Sequence, residues 1–377
     1  MNGYYIHKDC SSYPGVLKKI EYQIKELGKI ANVSEVIINS KSILYKILSR
    51  IPLLYPCSYY YDEAFSRINN PDFIYIRKDI KTDKFFIAFL NKIKITYPNC
   101  LILVELPTYP FYKELYSNIT GWTLFFKEIW YARTFKKYID RYVSYSFDKQ
   151  IYGVPTISIM NGIDPSCICE KSPSKNNKLI SLVAVSSFAS WHGYERIIES
   201  LWNYKKKGGL RNVKLYLVGD GDELKKYKKL VLRFHLENSV VFTGRLTGAE
   251  LDKIYNESDI GLGIFGLYKK NMKYSSALKI REYLCKGLPV VSGCKEDIFI
   301  KYPSDFYLEF SNNRASIDFD NIVYFYDKLY NNMVNNDNAK FGVIRRIRDY
   351  ACHHASIEQT FQPVLSFIVD YHKKLII

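Results

Sequence analysis

Short apolar runs alternate with helical periodicity along almost the whole chain. Tyr4 to Ile6 opens the first strand, and a loop follows through Ser11-Ser12-Tyr13-Pro14-Gly15. Beyond it Val16, Leu17, Ile20, Ile24 and Leu27 recur at intervals of three and four, the stripe of a helix that ends near Gly28. Val36-Ile37-Ile38, Phe73 to Ile76 and Cys100 to Val104 read as further strands, and Thr82 to Ile95 as a helix. This half closes at Ile157-Ser158-Ile159-Met160 and Asn161-Gly162-Ile163-Asp164-Pro165. The stretch from Pro165 to Asn177 is rich in Ser, Pro, Lys and Asn and reads as a linker.

The second half repeats the rhythm more sharply. Strands are expected at Leu179 to Val185, Val213 to Val218, Val240 to Phe242, Ile260 to Phe265 and from Pro289 onward. Between them, helices are expected at Tyr194 to Tyr204, Glu223 to Leu236, Gly248 to Asn256 and Ser276 to Lys286. Such alternation predicts parallel sheets covered on both faces. The expected fold class is therefore α/β, with two Rossmann-like domains facing a cleft. Their bounds are 1–165 and 166–350, and the helical pattern near Ser356 to Lys373 makes 351–377 a helix packing back on the first domain. Sheets of this kind bind ligands beyond the carboxyl ends of their strands.

Composition changes this picture little. A chain of 377 residues, 47% hydrophobic, has material for two packed interiors. No run approaches the roughly 20 apolar residues of a spanning helix, and Met1 to Lys8 lacks the apolar block of a secretion signal. A cytoplasmic protein is expected, with contact at the inner face of the cell membrane as an open alternative. The eight cysteines are scattered, and the lone pair Cys167 and Cys169 makes a poor metal site. Reduced thiols and no metal are expected. The 54 Lys and Arg against 38 Asp and Glu leave a net charge of +16, which points to anionic partners. Nucleic acid, acidic lipid headgroups and a phosphorylated substrate all fit; an AT-rich genome would also inflate lysine.

The segment from Tyr274 to Val291 carries the most chemistry. Ser275 or Ser276 is placed to cap a helix whose first-turn N–H groups are free, and those donors with the helix dipole make an anion site. Lys279 lies one turn in and Glu282 one turn further, at spacings that share a face. The helix stops at Gly287, suited to a left-handed cap, ahead of Pro289. One helix thus offers backbone donors and a lysine to a diphosphate, with a carboxylate for a pair of sugar hydroxyls. An ordinary capped helix with a solvated Lys/Glu face is the plain alternative.

Five segments in order extend that reading. They are Val183 to Ile198, Leu217 to Leu224, Val240 to Arg245, Leu251 to Tyr255 with Ser258 to Leu262, and Lys279 to Val291. From about Leu179 to Val291 the chain resembles the C-terminal domain of the large retaining glycosyltransferase family called group 1, or family 4, which has the GT-B fold. The resemblance implies a nucleotide-sugar-binding C-terminal domain and an acceptor-binding N-terminal one. Glu282 falls on the family's second motif glutamate, expected to hold the donor ribose. The first motif glutamate falls at Tyr274, a departure that removes the usual carboxylate toward the donor sugar. The family's phosphate-binding arginine and lysine fall at Ser187 and His192. The diphosphate is therefore assigned to Lys279, the Ser275-Ser276 helix start and His192. Thr243, Gly244 and Arg245 lie where backbone groups meet the base. Gly219, in the turn Gly219-Asp220-Gly221, joins the donor set; a plain strand-to-helix turn is the alternative.

In the first half, Gly15 precedes the first long helix, where the family often has a glycine loop that lets the backbone approach donor and acceptor; a tight turn is the alternative. Glu105-Leu106-Pro107-Thr108-Tyr109-Pro110 resembles a Glu-x-Pro-Thr-Tyr-Pro segment of some bacterial polysaccharide-type members. Glu105 is a candidate to orient an acceptor hydroxyl, against a rigid proline loop with a surface carboxylate. Trp122 to Tyr142 mixes aromatic with basic residues, which suits a helix lying on an anionic membrane or one packing its rings into a core. The resemblance implies sugar transfer from a nucleoside-diphosphate sugar to a hydroxyl of a saccharide or lipid-linked saccharide, with retention; no Asp-x-Asp stands where a divalent ion would be expected, so neither a metal nor another cofactor is expected. The expected setting is cell-surface polysaccharide or lipopolysaccharide biosynthesis, with Glu105, Lys279 and Glu282 as catalytic candidates. A non-catalytic sugar-nucleotide-binding protein and a nucleic-acid-binding protein are the alternatives; the latter lacks a recognisable module.

Overall fold

The computed structural model describes residues 1–11, 14–48, 59–78, 82–110, 119–173, 179–330 and 337–376. It divides into two compact units, Met1–Met160 with Ile357–Ile377, and Asn161–Ser356.

The first unit is built on seven strands: β1 (Asn2–Lys8), β2 (Asn32–Ile38), β3 (Phe73–Arg77), β4 (Leu101–Leu106), β5 (Arg141–Ser144), β6 (Gln150–Ile151) and β7 (Val154–Ser158). Their order across the sheet is β2-β1-β3-β4-β5-β7-β6, parallel except for the β6–β7 hairpin. Both faces are covered, so the central strands are near-continuous apolar runs, and every residue of β4 is buried. Alternation along each strand sorts the side chains. Tyr4, Ile6, Ile74, Ile76, Ile102 and Val104 enter one core, while Tyr5, Phe73, Tyr75, Leu101 and Leu103 enter the other. The second core also takes Ile357, Phe361, Val364, Leu365 and Ile368, a helical stripe of the helix Ile357–Ile376. By the same parity Glu105 projects toward the second core.

The helix Pro14–Leu27 begins earlier than its apolar stripe suggests. Pro14 and Gly15 lie in its first turn instead of in a loop before it. Proline suits that position because the missing N–H would lack an intrahelical partner there. Among the described residues, its own helix and chain neighbours aside, no heavy atom lies within 4 Å of where a Cβ on Gly15 would sit, so no contact there demands glycine.

The second unit has β8 (Leu179–Ser186), β9 (Asn212–Gly219), β10 (Val240–Gly244), β11 (Ile260–Leu262), β13 (Val290–Ser292) and β15 (Tyr307–Glu309), with β12 (Tyr274–Ser275) pairing β14 (Lys295–Glu296) apart from them. The six-stranded sheet runs β10-β9-β8-β11-β13-β15 and is parallel throughout. The chain steps outward from β8 to β10 and then returns to the other side of β8 with β11. Ligands of such sheets collect at that reversal, outside the carboxyl ends of the two strands. The strand expected at Ile260 to Phe265 stops at Leu262, and the residues beyond it turn across the sheet end.

Residues 165–171 are stitched into this unit. Asp164 caps the short helix Pro165–Cys167, Arg348 donates to the carbonyls of Pro165 and Ile168, and Lys171 N–H donates to Lys286 O at 2.9 Å. The rest of the stretch read as a linker includes 174–178, outside the described residues.

Candidate active site

The helix Leu278–Lys286 follows β12 closely in sequence and closes on Gly287, whose φ of 83° is the left-handed cap expected from its sequence. Its N-cap, however, is Ala277, with no side-chain cap. Neither serine caps it, because both are engaged elsewhere. Ser275 is buried in the β12–β14 ladder opposite Glu296. Ser276 accepts from Asn161 through both its hydroxyl and its carbonyl oxygen. The helix therefore begins on a bare alanine, with no side chain competing for its first-turn donors.

Lys279 extends to the reversal point. Its Nζ donates to Tyr194 Oη at 2.6 Å and to Gly263 O at 2.9 Å, just past β11. Both acceptors are neutral. His192 lies on the other side of Tyr194, its ring stacked on the phenol at 5.8 Å and 9°. Burial, with the charge of Lys279 adding to it, pushes the His192 pKa down to about 2, so the imidazole is neutral. Ala189 N–H donates to Nδ1 at 3.0 Å, which places the ring proton on Nε2. His192 is thus a fixed neutral donor beside a cation.

Glycines set the close approaches around this group. Gly193 has φ 66°, and a Cβ there would stand 2.5 Å from Gly266 N, so the loops after β8 and β11 touch backbone to backbone. Arg196 holds the second loop by donating to Phe265 O at 2.6 Å and to Ala315 O. Gly219, at φ 134°, lies where a Cβ would fall 1.8 Å from Ser186 O. Its glycine is therefore required by contact with the end of β8.

Glu282 is half-buried and accepts from Tyr255 Oη at 3.0 Å. Ser187, Gly244 and Arg245 are exposed at strand ends, and Gly244 has φ 74°. Of the second-unit candidates, His192 and Lys279 meet through Tyr194, while no contact among the described residues joins Gly244 or Arg245 to them. Tyr274 pairs with Lys295 across the short ladder.

Two groups escaped sequence reasoning. Tyr194, wholly buried, is the hinge of the cluster, yet it sits 85 residues from Lys279. Glu296 is also wholly buried, accepts from Ser292 Oγ at 2.9 Å and from the Ser275 hydroxyl, and leaves Oε2 without a partner. Burial pushes its pKa up to about 7, against the pull of Arg281. Among the described residues no group of three or more His, Cys, Asp or Glu side chains gathers as a metal site.

The remaining candidates lie in the first unit. Glu105 is wholly enclosed at the end of β4. It accepts from Tyr75 Oη at 2.6 Å, Gln23 Nε2 at 2.8 Å and Lys19 Nζ at 3.4 Å, and pairs with Arg77, its register neighbour on β3. Burial pushes its pKa up, but Lys19, Arg77 and the two hydrogen bonds outweigh this and hold it at about 2. Lys19 is driven the other way. Burial outweighs the attraction of Glu105 and lowers it to about 7. Gly15 has no part in this network.

Residues 169–293 match the family described as glycosyl transferases group 1. No curated protein matches the chain. Solved structures match over nearly its whole length. A glycosyltransferase from Rickettsia africae ESF-5 is 15% identical with a TM-score of 0.63, covering 99% of this chain and 98% of that one. Anabaena HepE in complex with UDP and glucose is 15% identical with a TM-score of 0.64, over 97% and 99% of the two chains. The lipopolysaccharide outer core galactosyltransferase WaaB is 13% identical with a TM-score of 0.60, over 98% and 99%. The architecture is that of GT-B glycosyltransferases, two Rossmann-like domains, and the match to the glycosyl transferases group 1 family lies in the second unit.

Proposed function

We propose that the second unit binds a nucleoside-diphosphate sugar and that the chain transfers the sugar to a hydroxyl of a saccharide, free or lipid-linked. One observation carries this reading. Lys279 is held at the reversal point of the sheet by two neutral acceptors, so its charge is left for an anion. Nε2–H of His192 and the uncapped start of Leu278–Lys286 add donors of the same sense. Transfer breaks the bond between the anomeric carbon and the diphosphate oxygen, and the electron pair leaves with the diphosphate. Fixed donors aimed at that oxygen stabilise the transition state, because they are oriented before charge develops. This supports transfer without a metal. Glu282 is assigned to the donor ribose. Glu105 we assign to positioning, since its enclosure directs both oxygens to protein donors.

A uridine nucleotide is the first donor base to test, since HepE has been solved with UDP and with UDP-glucose. Retention, and a place in cell-surface polysaccharide or lipopolysaccharide assembly, follow from the family resemblance. The deciding experiment is thermal stabilisation by UDP, GDP, ADP, CMP and dTDP, each with magnesium and with chelator. A ligand of the native state must raise its stability. A shift with one diphosphate in both conditions supports the site and names the base. A shift only with magnesium overturns metal independence, and none with any of the five overturns the donor assignment.

A further inference from the structure

The described side chains of the helix Ile119–Ala132 show a reversed polarity. A surface helix ordinarily turns its rings inward and its charges to water. Here Glu128 is wholly buried and paired with the equally buried Lys78 at 2.9 Å, and Ala132 faces the first core. Trp122, Phe126 and Trp130 are instead 46%, 63% and 74% exposed. They recur every fourth residue, so they share one face, and Trp122 and Phe126 touch ring to ring at 6.2 Å. The unit therefore desolvates an ion pair while leaving three of its largest apolar side chains in water, the arrangement of a surface that meets an apolar medium. Immediately after the helix come Arg133, Lys136 and Lys137, all exposed. No described helix is long and apolar enough to cross a membrane.

We propose that this face docks on an anionic lipid bilayer, with Trp122, Phe126 and Trp130 entering the headgroup boundary and Arg133, Lys136 and Lys137 meeting acidic headgroups. Tryptophan suits that depth because its ring is apolar and its N–H still finds a polar partner. The cations select the lipid charge, and the chain's net +16 favours the same surface at longer range. Either element alone binds weakly, whereas apolar area and charge together anchor a helix lying in the interface. The inference does not depend on the donor assignment, since its residues belong to the first unit and those of the donor site to the second.

The test is sedimentation of the full chain with vesicles of phosphatidylcholine alone and with about a third of the lipid as phosphatidylglycerol. The expected result is binding to the anionic vesicles, weakened by salt, with a blue shift of tryptophan emission. Trp122→Ser/Phe126→Ser/Trp130→Ser should lose about tenfold or more of that binding while keeping its melting temperature and its response to nucleotide. Arg133→Ala/Lys136→Ala/Lys137→Ala should lose the preference for anionic lipid. Absence of wild-type binding, or equal binding by the aromatic variant, overturns the proposal. A wild-type oligomer in light scattering that the aromatic variant dissolves into monomers also overturns it, because the face would then belong to a second copy.

Discussion

The two units place cations at the carboxyl ends of similar parallel sheets, but they complete them differently. In the first, Lys19 and Arg77 share the enclosed carboxylate of Glu105, and Lys78 closes on Glu128. In the second, Lys279 rests on a phenol oxygen and a peptide carbonyl, with a neutral histidine beyond. A cation closed by a carboxylate contributes structure. One held only by neutral dipoles keeps its field for an incoming anion. Both sheets are built on parallel strands, and what separates a structural network from a ligand site is whether the counter-charge is already built in.

Removing the built-in counter-charge breaks the comparison most severely. Glu105→Ala leaves Lys19 and Arg77 facing each other in a buried setting, and a loss of about 3–5 kcal/mol is expected in chemical denaturation. The same carboxylate has a pH signature. Its folded pKa lies below that of the unfolded chain, so its contribution is full above the ordinary carboxylate range and is lost as pH falls toward about 2. Glu105→Gln should flatten that acid limb relative to wild type, and an unchanged limb would show that Glu105 is not ionised in the fold.

Lys279→Ala tests the other side. Its partners Tyr194 Oη and Gly263 O are neutral, so no buried charge is orphaned and the fold should persist. Turnover should fall about 10²–10³-fold, with the thermal response to the nucleoside diphosphate lost. Wild-type turnover in a folded variant would sink the assignment. Glu282→Ala should act more weakly, raising donor KM about tenfold through lost hydrogen bonds while leaving most of kcat. If kcat falls instead, the carboxylate acts at the transition state and its ribose role is wrong.

Where the chemistry lies on one short segment, it was legible in the sequence. Lys279, Glu282 and Gly287 follow from helical spacing and capping, and buried parallel strands such as Leu101–Leu106 and Leu179–Ser186 are mostly apolar runs. What sequence could not show is how each side chain is completed. Glu105 looks like a loop-end carboxylate, and its enclosure comes from partners 28 to 86 residues away on other elements. Ser275 and Ser276 look like caps, and are withdrawn from that role by Glu296 and Asn161. Tyr194 lies within the segment Val183 to Ile198 and Glu296 outside all five segments, and both acquire their roles through burial, which local spacing does not show.

Glu296 gives the sharpest sign. It is a buried acid beside Asp297, bonded to Ser292, whose hydroxyl in turn accepts from Ile264 N–H at 3.3 Å. Burial pushes its pKa up to about 7, with Arg281 opposing and Asp297 reinforcing. The folded chain therefore holds this proton to higher pH than the unfolded chain does. Its share of stability falls as pH rises from the ordinary carboxylate range to about 7 and is level above, by at most about 1.4 kcal/mol per pH unit. Glu296→Gln mimics the protonated form and should remove that slope, so the variant gains on wild type toward pH 7 and matches it in acid. A difference curve between the two that is flat across this range would mean that the carboxyl is already ionised in the fold. Arg281, rather than burial, would then govern the ground beneath Lys279.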